Sequence, residues 1–129
     1  MPDTEKITIN MSVVDLGQVD LLVEEGFYSS RTDFIRTSIR NQISQHGEAV
    51  RQSITRRTMA LGATGYNRAE LEKVRANGEK LEVRVVGLFM LQDDVTPELA
   101  RDTIESVKVL GVFRAPEAVK AALADRILN

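Results

Sequence analysis

The sequence predicts an α+β chain in two parts: a strand and two helices over residues 1–50, then a small β-α repeat domain over residues 56–129. Three observations carry this. Lys6–Met11 alternates polar and apolar residues with period two. Two Ser-x-x-Asp starts, at Ser12 and Ser30, each precede an apolar stripe at helical spacing. Apolar runs closing on glycine recur at Gly62, Gly87 and Gly111, 25 and 24 residues apart.

The period-two stretch directs Ile7, Ile9 and Met11 to one side and Lys6, Thr8 and Asn10 to the other, as in a strand with one buried face. A lone strand of six residues satisfies neither its backbone nor its apolar side. No second strand follows nearby, so its natural partner is the same strand of another copy. Ser12 with Asp15 has the form of a capping box. Leu16, Val19, Leu22 and Val23 then recur at helical spacing, and Gly26 closes the helix in the left-handed conformation that glycine tolerates. Gly17 interrupts this helix without an evident reason. A second box, Ser30 with Asp33, opens a helix whose stripe is Phe34, Ile35, Ile39 and Ile43, with Arg36 and Arg40 on another face. His46-Gly47-Glu48 ends or interrupts it, and Ala49, Val50, Ser53 and Ile54 prolong it with a new turn.

Composition narrows the function. With 43% hydrophobic and 28% charged residues in 129, the chain is of the globular class. No apolar run approaches the roughly 20 residues of a membrane helix, and the start MPDTEKITIN lacks the order of a secretion signal. There is no cysteine and a single histidine, His46. Disulfides and thiolate metal sites are excluded, and little material is left for acid–base catalysis. The absence of cysteine fits a cytoplasmic protein. No phosphate-binding glycine loop or nucleophile motif occurs, so an enzyme is not expected, and neither is a cofactor or a metal. The net charge of −2 divides evenly: residues 1–57 hold seven basic and eight acidic residues, residues 58–129 ten and eleven. Any face for nucleic acid must come from local sorting of charge.

KITINMS, a helix ending in EEG, then FYSSRTDFIRTSIR resembles the ribbon-helix-helix regulators of the CopG, Arc and MetJ type, over residues 5–46. The resemblance implies that two chains pair their strands into an antiparallel ribbon that enters the major groove of double-stranded DNA. Carried over by position, Lys6, Thr8 and Asn10 face the base edges, while Ser30 and Arg31 at the start of the second helix hold phosphates. Physics supports each role: Asn suits adenine and Lys suits guanine, and a helix N-terminus offers unpaired N–H groups to an anion. Each residue also has a plainer use. Lys6, Thr8 and Asn10 are equally the wet face of an edge strand, and Ser30 caps a helix with or without DNA.

In the second part, Met59-Ala60-Leu61-Gly62, Val85-Val86-Gly87 and Val109-Leu110-Gly111 each read as a strand ending in glycine. A short loop and a helix start follow, at Asn67, Thr96-Pro97-Glu98 and Pro116-Glu117; proline and glutamate suit a first turn. Asn77-Gly78 turns the chain back after the first of these helices. A unit near 24 residues suits a leucine-rich-repeat-like solenoid of parallel strands with helices on one face. A small non-repetitive α/β domain is the alternative. Exposed sheet edges favour association, so residues 56–129 are expected to join dimers into tetramers or higher assemblies, or to bind a partner or ligand. Asp93-Asp94 is the only acidic cluster there and reads as a solvent-facing loop. The function expected is a sequence-specific repressor. The alternative is an antitoxin that represses its own operon and binds its toxin through the C-terminal region.

Overall fold

The computed structural model describes residues 4–129; Met1–Asp3, the start of the first expected domain and of the segment read for a secretion signal, lie outside them. The chain divides into two compact units. Lys6–Ser53 forms one, and Ile54–Asn129, with the short segment before Lys6, forms the other.

The first unit holds α1 (Val13–Glu24), α2 (Arg31–Gln45) and most of α3 (Gly47–Arg56). Ser12 caps α1 by accepting the Asp15 amide at 3.5 Å, and Gly26 ends it at φ +86°. α2 stops at His46, whose amide donates to the Ile43 carbonyl, and the chain restarts as α3. Within one chain Val19 is the only apolar side chain fully buried among the described residues of this unit. Leu16, Leu22, Phe34 and Ile35 are half-buried, and α2 has no buried residue. Residues 4–11 belong to no helix or strand and find no partner strand among the described residues.

The second unit alternates strand and helix: β1 (Ala60–Tyr66), α4 (Arg68–Ala76), β2 (Leu81–Leu91), α5 (Pro97–Thr103), β3 (Ile104–Arg114) and α6 (Glu117–Ala122), then a short 3-10 turn. The strands form one parallel sheet in the order β1-β2-β3. Two of these helices, α4 and α5, start on side-chain caps. The Asn67 side chain accepts from the Glu70 amide and Glu70 accepts in return from the Asn67 amide, both at 2.9 Å, a complete capping box. Thr96 accepts from the Leu99 amide, with Pro97 in the first turn. Asn77 caps the end of α4 and Gly78 turns the chain at φ +68°.

The residues that meet the helices are odd-numbered in β2 and, beyond the bulge near its start, in β3, and even-numbered in β1. Val83, Val85, Phe89 and Leu91 pack with Leu71, Leu99, Val119 and Leu123 into one core. Tyr66, Phe89 and Phe113 cross all three strands, with ring centroids 6.0 and 5.5 Å apart. The buried Thr103 hydroxyl donates back to the Leu99 carbonyl at 2.7 Å, and among the described residues no buried side-chain nitrogen or oxygen lacks a partner. Arg126 donates to the carbonyls of Arg101 and Ile104, and Ile127 bridges to Val107, which covers part of the outer edge of β3.

The three glycines correct the expected strand ends. They lie inside the strands, which continue three or more residues beyond each, and they pair in register as Gly62↔Gly87↔Gly111. Their φ values are +134°, +133° and +124°, a region closed to other residues. A Cβ on Gly87 would overlap the Gly62 carbonyl, and one on Gly111 would overlap that of Gly87. Glycine here lets neighbouring backbones pass close together without ending the strand. Read as a terminator, it placed the strand ends several residues too early.

Candidate nucleic-acid interface

Lys6, Thr8 and Asn10 are all exposed. So are the residues between them: Ile7 at 73%, Ile9 at 65% and Met11 at 37%. Two β-branched isoleucines left in water within a six-residue stretch represent unmet burial, since each buried side chain of this size is worth roughly 1.5–3 kcal/mol. Val13, Val14, Leu21, Phe27, Ile39 and Ile43 are exposed as well. The unit has apolar surface for a larger core than one chain can close.

The N-terminus of α2 is built from four consecutive residues. Phe27-Tyr28 turns the chain, and the Tyr28 ring meets Phe34 edge-on at 5.0 Å, which fixes the approach to the helix. Ser30 takes an extended conformation and accepts from the Asp33 amide at 3.0 Å. The return half of this box falls one residue earlier than a capping box places it: the Asp33 carboxylate accepts from the amide and the hydroxyl of Ser29, at 2.9 and 3.2 Å. These bonds, the Ser29 amide first, hold the Asp33 carboxyl below the ordinary aspartate range against the opposing effect of desolvation. An α-helix leaves its first amides without intrahelical partners, so a positive end points outward here.

Arg31, the first residue of α2, is exposed but already paired. Its Nε donates to Asp20 Oδ1 at 2.7 Å and its Nη2 to Asp20 Oδ2 at 2.8 Å, a two-pronged pair between α1 and α2. The hydrogen bond from Arg31, helped by its charge, pulls the Asp20 carboxyl below its usual range and raises the guanidinium in return. Sequence reasoning named Arg31 and missed Asp20. The two lie eleven positions apart on separate helices, and only the hairpin between them brings them together. Arg36 and Arg40 are exposed further along α2.

In the second unit, Asp94 accepts from the Arg68 amide at the start of α4, so one carboxylate of the acidic pair serves a helix end. Among the described residues no cluster of three His, Cys, Asp or Glu could hold a metal, and no helix is long and apolar enough to cross a membrane. The sheet face opposite the helices carries Leu61, Val86, Leu88, Leu110 and Val112. Leu61 is 70% and Leu110 41% exposed.

No curated protein and no solved structure matches the chain. Residues 2–120 match the ribbon-helix-helix transcriptional regulator family, whose members bind DNA, typically as dimers. That match spans both units, so the chain as a whole, and not only residues 5–46, belongs to the ribbon-helix-helix transcriptional regulator family.

Proposed function

We propose that this DNA-binding regulator is a repressor in which two copies pair along Lys6–Met11. Ile7, Ile9 and Met11 enter the shared core, and Lys6, Thr8 and Asn10 meet base edges in the major groove. The α2 N-terminus, with Ser30 and Arg31, sits on the flanking phosphates. The observation that carries this reading is the alternation in Lys6–Met11, with its apolar half in solvent when the chain is alone. A two-stranded ribbon fits the major groove and presents alternate side chains to it.

The second unit is assigned to assembly: the outer sheet face, on which Leu61 and Leu110 are exposed, joins dimers into larger oligomers. All-parallel sheets normally have both faces covered, which supports this role. The antitoxin reading gains no support, because residues 54–129 close a core of their own around Phe89.

The test of readout is selection of bound fragments from random DNA, followed by Thr8→Ala and Asn10→Ala. Each side chain that reads a base contributes about 1–3 kcal/mol of discrimination. Each variant should therefore lose roughly tenfold or more on the selected site while keeping its affinity for unrelated DNA. An unchanged preferred sequence and affinity in both variants would remove the ribbon from base readout.

A further inference from the structure

We propose that Asp20 is a built-in competitor for the DNA phosphate at Arg31, holding down affinity for DNA of any sequence. The inference rests on the reading of the α2 N-terminus as a phosphate seat and adds a residue that sets how strongly that seat acts. A guanidinium binds carboxylate and phosphate through the same fork of donors. Here the fork of Arg31, its Nε and Nη2, is already closed on both oxygens of Asp20. The two groups come from different helices, each with its own N-cap, Ser12 for α1 and Ser30 for α2, so the pair is held by the frame of the hairpin.

The pair is also neutral as a unit. A cation that approaches a phosphate releases condensed counterions, and this release supplies most of sequence-independent affinity. Arg31 paired with Asp20 brings no net charge to that exchange. Arg36 and Arg40 differ, since neither has an acidic partner among the described residues. Asp33 places a second carboxylate at the same helix end, turned onto Ser29. The α2 N-terminus of the free protein thus carries internal anions where an external one would bind. In a chain of net charge −2, this arrangement shifts the weight of binding from phosphates to the bases read by the ribbon.

The experiment measures binding of the full-length protein to a mixed-sequence DNA duplex across a salt series, for the unchanged chain, Asp20→Asn, Arg31→Ala and the double variant. Asp20→Asn keeps the side-chain shape and removes the charge, and a melting curve for each variant confirms that it is folded. Exposed ion pairs are weak, so release of two arginines per dimer should tighten binding by about tenfold. The plot of log affinity against log salt should steepen by about 0.9 for each phosphate gained per subunit. Arg31→Ala should weaken binding by less than one full phosphate contact per subunit, because Asp20 already engages its fork, and adding it to Asp20→Asn should cancel the gain. If Asp20→Asn binds no more tightly, or Arg31→Ala alone loses a full phosphate contact, the competitor role is overturned. If the unchanged protein binds no DNA even at low salt, the phosphate-seat reading itself fails, a result distinct from the first.

Discussion

The two units solve the problem of burial in opposite ways. Residues 54–129 bury Phe89, Leu99, Ile104, Val107, Val119 and Leu123 completely within one chain. Residues 6–53 bury Val19 alone and leave Ile7, Ile9, Phe27, Ile39 and Ile43 in solvent. Both have strand-forming and helix-forming sequence in good order. The difference is that a βαβ succession brings its second and third strands back along the chain, whereas the strand-patterned segment before two helices finds no partner strand among the described residues. On the proposed pairing the first unit is half of a fold and the second is a whole one, so the stability of the first should depend on protein concentration and that of the second should not.

The sharpest way to break this comparison is Ile9→Lys. A lysine in the paired ribbon would bury an unpaired charge, a change that costs several kcal/mol, about 3–5 where a partner is missing. It should abolish dimers and unfold residues 6–53 while the sheet unit keeps its own melting transition. Circular dichroism with analytical ultracentrifugation reads both effects. A variant that stayed dimeric with an unchanged first transition would place the missing core elsewhere.

How much of this was legible in the sequence follows from how local each cause is. Caps and turns are written within four residues, so Ser12, Ser30, Asn67 and Thr96 begin helices where the pattern predicts them, and Gly26 and Gly78 turn the chain as expected. The 24- and 25-residue recurrence of glycine likewise corresponds to adjacent parallel strands in register. The meaning of those glycines was not legible, because it depends on a neighbouring carbonyl some two dozen residues away. The same holds for Asp20, which is unremarkable on its helix until the hairpin brings it to Arg31. The sequence therefore names Arg31 as a candidate for a DNA face but carries no sign of the Asp20 contact that occupies it.

Two glycine-to-alanine changes turn this distinction into a measurement. Gly87 has positive φ and no room for a Cβ, while Gly17 lies inside α1 with nothing within 4 Å of where a Cβ would sit. Gly87→Ala should destabilise residues 54–129 by about 3 kcal/mol, from backbone strain and overlap together. Gly17→Ala should stabilise the first unit by roughly 0.5–1 kcal/mol, the ordinary gain inside a helix. Denaturant titration of each variant gives both numbers. Loss of stability at Gly17 would show that the partner copy approaches α1 there, since one chain leaves that side open.

The smallest expected effect on stability belongs to Leu61→Lys, and it tests the most about assembly. Leu61 at 70% and Ile9 at 65% are almost equally exposed in one chain, yet the comparison of units assigns them different consequences. Ile9 belongs to a unit that cannot close without a second copy. Leu61 lies on the outer face of a sheet whose core is complete beneath it, so a lysine there meets water and should change the melting of residues 54–129 by less than about 0.5 kcal/mol. Binding of a dimer to its DNA site should not change either. What should change is association beyond the dimer, because a charge on an apolar face opposes its pairing with another such face. Sedimentation of the unchanged protein and of Leu61→Lys across a concentration series separates the outcomes. Larger oligomers in the first and plain dimers in the second would assign assembly to this face. Equal oligomers in both would move assembly elsewhere on residues 54–129. Plain dimers in both would leave the face to a different partner, and the second unit would then have to be understood through what binds it.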